Sequence, residues 1–226
     1  MKRFLESLIK KTPLYYPVRD WLHHWRWLQH RQVVIWERRG RPAPAPHIIK
    51  QNTLRAYAVQ CHLRTLVETG TYHGDMVEAM RYVFGKIYSI ELGQKFFERA
   101  REKFKSDKHI ELIHGDSGKE LGKVIKKLGN EPALFWLDGH YLAGAAKGEK
   151  DTPLYDELEH IFNAPNVGHV IIIDDARCFG TDPAYPTIEE LEALVLSKRK
   201  DVQIAVQDDM IRVTPTKDAH SPVQRG

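Results

Sequence analysis

The chain has 226 residues, of which 28% are charged and 42% hydrophobic, with a formal net charge of +4. That is the composition of a soluble globular protein, long enough to bury a core in one α/β domain plus an extension. Two cysteines (Cys61, Cys178) make neither a disulfide framework nor a zinc pattern, and the lack of a signal-peptide run or an apolar stretch near ~18 residues points to a cytoplasmic, at most membrane-peripheral, protein.

The charge is uneven. Residues 1–41 hold ten Lys/Arg against Glu6, Asp20 and Glu37, so +7 lies at the front and −3 in the remainder. Residues 2–11 suit a short helix that Thr12-Pro13 breaks. From Pro17 to about Arg39 a longer helix is expected, with Gly40 as its stop. Trp21, Trp25, Leu28, Ile35 and Trp36 fall on one side of it. Such a basic, Trp-rich helix suits a peripheral membrane contact or docking onto the domain or a second subunit. No nucleic-acid motif accompanies it, so no nucleic-acid partner is expected. Arg-Pro-Ala-Pro-Ala-Pro (41–46) reads as a stiff linker, which divides the chain into an extension (1–46), a domain (47–215) and a disordered polar tail (216–226). The helix after the linker has Leu54, Tyr57, Ala58 and Cys61 as its apolar face and Asn52 or Thr53 as a cap.

Residues 64–75 read Arg-Thr-Leu-Val-Glu-Thr-Gly-Thr-Tyr-His-Gly-Asp: a strand ending at Glu68, a turn with Gly70 and Gly74, and a helix from about 75 to 84. Gly70 permits a tight turn and a close approach to a ligand. The following helix start offers N–H groups to an anion, and Glu68 can accept from a ligand amine. Tyr72 stands where a dinucleotide fingerprint has its second glycine, which argues against a pyrophosphate on the turn. The pattern acid-x-Gly-x-aromatic-x-Gly resembles the first motif of class I S-adenosylmethionine (SAM) methyltransferases. The central aromatic is similar to that of the sugar, or macrocin, O-methyltransferase branch.

Strands and helices then alternate. The strand Lys86 to Glu91 ends in an acid about twenty residues past the turn, where a carboxylate can accept both ribose hydroxyls. A charged helix (93–104) leads to a strand from His109 to His114 and then Gly115-Asp116-Ser117. A fourth strand, Ala133 to Asp138, continues into Gly139-His140-Tyr141 and a small-residue loop of the kind used as a lid. A helix to about Phe162 follows, then the apolar strand His169–Asp174, as a doubly covered strand requires. A helix at 187–198 precedes two alternating runs joined by Asp208-Asp209, a hairpin. The expected fold is therefore a Rossmann-like, doubly wound, seven-stranded, mostly parallel α/β sheet with a closing antiparallel hairpin and an N-terminal helical extension.

In an open parallel sheet ligands bind beyond the carboxyl ends of the strands, where Glu68, Glu91, Asp116, Asp138, Asp174 and Asp175 emerge. The resemblance, over residues 64–214, implies a SAM site made by Glu68, Gly70, Thr71, Tyr72 and Gly74 with Glu91, Asp116, Ser117 and Asp138. Asp116 would meet the adenine amine. Close carboxylates repel, and a hard divalent cation relieves that. The resemblance accordingly implies Mg²⁺ on Asp138, Asp174 and Asp175. Asp138 and His140 would be catalytic, with His140 taking the acceptor proton. His73 is a second substrate contact to test, and Arg177 would pair with an anionic substrate group or neutralise the acids. The implied activity is Mg²⁺-assisted O-methylation of a sugar, glycoside or other polyhydroxylated small molecule. The alternatives are a cephalosporin hydroxylase-like enzyme on the same sheet, or a non-catalytic domain attached to a membrane or partner through residues 1–41.

Overall fold

The computed structural model describes residues 15–139 and 152–216, with the backbone alone over 15–26. The expected helix at 2–11, His140, the lid-like loop and the tail beyond Thr216 lie outside the described residues. In chain order the elements are α1 (Tyr15–Arg38), α2 (His47–Gln60), β1 (Thr65–Thr69), α3 (Asp75–Met80), β2 (Lys86–Glu91), α4 (Gln94–Lys103) and β3 (Ile110–His114). There follow α5 (Ser117–Leu128), β4 (Ala133–Leu137), α6 (Leu154–Asn163), β5 (Val170–Ile173), a 3₁₀ turn (Ala176–Cys178), α7 (Ile188–Lys198), β6 (Val202–Gln207) and β7 (Met210–Pro215).

The seven strands form one sheet in the order β3-β2-β1-β4-β5-β7-β6. The first five are parallel, and β7 lies antiparallel between β5 and β6. The chain winds one way from β1 to β3 and the other way from β4, so the topological switch lies between β1 and β4.

Both faces are covered, which is why β1, β4 and β5 are buried along their whole length. On one face Val67, Phe135, Leu137, Ile171 and Ile173 pack with Leu121, Val124, Leu158, Ile161 and Leu191 from α5, α6 and α7. On the other, Leu66, Ile87, Leu134, Trp136 and Ile172 pack with Leu54 and Ala58 of α2, Met76, Val77 and Met80 of α3, and Ala100 of α4. The period-two alternation of the strands sends neighbouring residues to opposite cores.

Several expected boundaries move for physical reasons. The helix after the glycine turn ends at Met80 rather than Phe84. There Val83 and Phe84 both donate to the Met80 carbonyl, and Gly85 donates to Arg64 to enter β2. α2 starts at His47, straight after Pro46, so Asn52 and Thr53 lie inside it and cap nothing. α7 opens with a capping box between Thr187 and Glu190. The hairpin turn puts Asp208 and Asp209 at φ +57° and +61°, the two left-handed positions of a type I′ turn. In α1, Trp36 is buried and its Nε1 donates to the Pro42 carbonyl at 2.7 Å, whereas Trp27, Leu28 and Ile35 are exposed. The apolar side read from the sequence is thus divided. Both cysteines are free and half-buried.

Gly70 (φ +86°) sits at the switch between β1 and β4. A Cβ there would lie 2.4 Å from the Asp138 carbonyl oxygen. The expected close approach is therefore to the protein's own backbone. Gly70→Ala adds this clash to left-handed strain, so it should cost at least about 2 kcal/mol, read as a lower urea midpoint with unchanged slope.

Candidate functional site

Strand register brings the acids together. Thr69 pairs with Ile90 and with Leu137, Leu137 with Ile173, and Ile90 with Ile113. The next row of the rim is therefore Gly70, Glu91, Asp138 and Asp174, with His114 opposite Glu91. Backbone bonds continue the ladder into this row: Gly70 N–H to Ile90, Asp138 N–H to Thr69, and Asp174 N–H to Leu137. Residues spread over more than a hundred positions share one edge because five parallel strands end level.

Glu91 occupies the β2 end. Its Oε2 accepts from the Tyr72 N–H and its Oε1 from the Gly93 N–H, each at 2.7 Å. Each oxygen keeps lone pairs for a ligand hydroxyl. Tyr72 takes φ +49°, a left-handed conformation in the place a dinucleotide fingerprint gives to glycine. Its ring, 42% exposed, packs on His73 and Phe96 at centroid distances of 3.9 and 4.6 Å. Thr71 is buried and its hydroxyl meets Ser89 Oγ at 2.6 Å. A Cβ on Gly74 (φ +70°) would strike the Phe104 ring at 2.7 Å, so this glycine serves ring packing. The turn and Glu91 fit an adenosyl group: a constrained backbone beside a carboxylate already aimed by two N–H donors.

Glu68 is two rows lower, level with Ser89 and Trp136, and 1% exposed, bonded by Ser89 Oγ. Burial, then repulsion from Glu91 and Asp75, opposed by the Ser89 bond, raises its pKa to about 8. It is enclosed rather than open to a ligand amine, because β1 is a central strand. Asp116 caps α5, its Oδ1 accepting from the Gly118 N–H at 3.0 Å. Ser117 is buried and donates to Glu157 Oε1 at 2.5 Å. Glu157, from α6, is 1% exposed, and burial opposed by this bond brings its pKa to about 7. A Cβ on Gly139 would lie 3.3 Å from Glu157 Oε1, which places this acid beneath the β4 rim. Nothing in its helical pattern marks Glu157 from the sequence.

The corner holding Asp138, Asp174 and Asp175 contains an unexpected cation. Lys50 of α2 places Nζ 2.5 Å from Asp174 Oδ2 and 3.7 Å from Asp175 Oδ1. The lysine side chain is 12% exposed and that of Asp174 3%. Burial alone would lower the lysine. The Asp174 charge and hydrogen bond, then Asp138 and Asp175, overcome it and hold the ammonium above its ordinary pKa. Burial and repulsion from Asp174 push Asp138 well above the usual carboxylate range, against the pull of Lys50. Asp174 Oδ1 accepts from the Asp175 N–H at 2.8 Å. Arg177 Nη1 lies 2.6 Å from Asp175 Oδ1 and also bonds Asp209, so Arg177 neutralises acids. His73 Nδ1 meets Arg99 at 3.1 Å.

The three acids thus converge as expected but are not laid out as an Mg²⁺ ligand set. Among the described residues no group of three or more His, Cys, Asp or Glu is placed to hold a metal ion. Lys50 and Arg177 already supply positive charge beside Asp174 and Asp175. Lys50 was legible in one respect: positions 50, 54 and 58 form one stripe of α2, and Leu54 and Ala58 are buried on it.

No family model and no curated protein matches the sequence. Solved structures match the fold. An O-methyltransferase from Bacillus cereus in complex with S-adenosylhomocysteine (SAH) aligns at TM-score 0.54 and 16% identity, over 84% of this chain and 90% of that one. TomG, an O-methyltransferase of Streptomyces achromogenes involved in tomaymycin synthesis and solved with SAM, aligns at 0.53 and 18% over 83% and 89%. A caffeoyl-CoA O-methyltransferase-like structure from Staphylococcus aureus aligns at 0.55 and 11% over 89% and 98%. The Rossmann-like methyltransferase fold is therefore the fold of this chain.

Glu68 supplies a pH test. Its folded pKa, about 8 against an ordinary 4.5, means that the folded state holds the proton more tightly. Its contribution is full below the unfolded value and is lost as pH rises through about 8. Glu68→Gln keeps the shape without the titration. Its melting temperature should fall less than that of the parent protein between pH 6 and 9, by at least about 3 °C in calorimetric scans.

Proposed function

We propose that this chain is a SAM-dependent O-methyltransferase acting on a hydroxyl of a sugar or other polyhydroxylated small molecule. The observation that carries it is the level row of Glu91, Asp138 and Asp174 beside the Gly70–Tyr72 turn. The sheet is one on which O-methyltransferases have been solved with SAM and SAH.

Bound SAM would supply a methyl group on a sulfonium centre, with a neutral thioether as leaving group. The chain's part is then to bind, orient and exclude water. Glu91 accepts the two ribose hydroxyls while Tyr72 and Gly93 hold its carboxylate in place. Gly70 lets the turn close against the β4 rim. Asp116, at the head of α5, stands where the resemblance implies the adenine amine. Asp138, at the end of β4, is placed to take the proton that an acceptor hydroxyl gives up as the new C–O bond forms and the C–S bond breaks. His140, two residues on, is the other candidate for that proton. Asp175 and Lys50 supply an acceptor and a donor for neighbouring hydroxyls, which supports a polyhydroxylated acceptor. No step is assigned to Mg²⁺, because Asp174 and Asp175 are already paired with Lys50 and Arg177.

Calorimetric titration with SAH tests the reading. The intact protein should bind it. Glu91→Gln should lose about tenfold or more in affinity, the worth of hydrogen bonds to a charged acceptor, with an unchanged circular dichroism spectrum. Failure of the intact protein to bind either SAH or SAM overturns the proposal.

A further inference from the structure

We infer that Lys50 is a built-in cation: its ammonium stands where a divalent ion would otherwise neutralise the Asp138, Asp174 and Asp175 corner, and its removal opens a divalent-cation site there.

The geometry makes the two occupants exclusive. Nζ sits 2.5 Å from Asp174 Oδ2, and that carboxylate is almost wholly shielded from water. A hard divalent ion bonds carboxylate oxygen at about 2.1 Å when it is Mg²⁺. An ion sharing this oxygen would lie within about 5 Å of the ammonium, with little solvent to screen two cations. The second oxygen of Asp174 is turned to the Asp175 N–H at 2.8 Å, so no free bidentate face is offered. Asp175 is committed in the same way, with Oδ1 2.6 Å from Arg177 and 3.7 Å from Lys50.

The lysine is also held as a structural part would be. It comes from α2, whose stripe at 50, 54 and 58 faces the sheet, and the helix is fixed there by Leu54 and Ala58. It is shielded along its length and ends on the deepest acid of the corner. An ammonium has three donors. One goes to Asp174, and the others are available to an acceptor oxygen, which supplies the polarisation a bound metal gives. This last step rests on the methyltransferase reading, whereas the exclusion of metal rests on the corner alone.

Without Lys50 the buried carboxylates lose their counter-charge, and oxygen ligands without a cation attract one. The test uses the full chain, stripped of metal with EDTA and titrated with Mn²⁺ while bound ion is followed by electron paramagnetic resonance. The intact protein should show no bound Mn²⁺ that Asp174→Asn removes. Lys50→Met should bind Mn²⁺ at least tenfold more tightly than the intact protein, and the double variant with Asp174→Asn should lose the gain. Mn²⁺ bound by the intact protein and lost in Asp174→Asn overturns the inference. So does a Lys50→Met protein, folded by circular dichroism, with no gain. If Lys50→Met does not fold, the comparison of the intact protein with Asp174→Asn still decides. SAH titration of the intact protein is run alongside. Its failure would remove the methyltransferase reading and leave the Mn²⁺ result standing.

Discussion

The junction of β1 and β4 is the constraint on which the site depends. The Asp138 carbonyl fills the space a side chain at Gly70 would need, and the Asp138 N–H bonds Thr69. These contacts lock the ends of two strands that run to opposite halves of the sheet. Once they are level, Glu91 and Asp174 follow, because each neighbouring strand is bonded in register to one of them. A one-residue slip would turn every one of these side chains to the other face. The layout of the acids is in this sense a property of the backbone ladder, and the side chains inherit it.

The rim collects carboxylates that water cannot stabilise, and each is compensated differently. Glu68 and Glu157 have pKa values raised to about 8 and about 7, so a proton does much of the neutralising. Glu91 is held by two backbone N–H groups. Asp174 has Lys50, and Asp175 has Arg177. Glu68 and Glu157 lie beneath the rim row, almost wholly shielded from water. On the rim row Asp138 is likewise pushed well above the usual carboxylate range by burial and by Asp174, and Asp174 is nearly as shielded as the acids below it. Burying a charge is costly unless it is paired, and the same residue type is relieved of that cost in different ways two rows apart.

The fold was readable because its signals are local. Apolar runs of strand length alternate with helical patterns, and glycine or Asp-Asp turns separate them. That was enough to anticipate seven strands and the closing hairpin. The row of acids was readable for the same reason, since each acid ends its own strand. Charge balance was not readable, because it is made across the sheet. Lys50 and Asp174 are 124 positions apart in sequence, and no periodicity links them. Three acids without a visible counter-ion suggested a metal, when the counter-ion was a lysine on an otherwise apolar helical stripe. Glu157 was missed similarly: it looks like any acid in the first turn of a helix, and only packing beneath Gly139 distinguishes it. The depth of Glu68 was hidden by the strand-end pattern, which cannot tell the last row from one two steps below it.

The N-terminal segment is bound to this chemistry at two points. Arg41, in the proline-rich stretch, pairs with Asp208 at 2.6 Å, and Asp208 also bonds Arg212 of β7. The adjacent Asp209 holds Arg177, which in turn holds Asp175. α2 then carries Lys50 to the same corner from the opposite direction. Two chains of ion pairs, one through the hairpin turn and one through α2, converge on Asp174 and Asp175. A shift of the segment around residues 41–50 would therefore alter the charge surrounding these acids without touching the strands that bear them. Buried ion pairs add little net stability, but breaking one partner from a buried pair is costly. That asymmetry resists displacement of α2, and it makes the position of the front helix part of the site's electrostatics rather than an appendage to it.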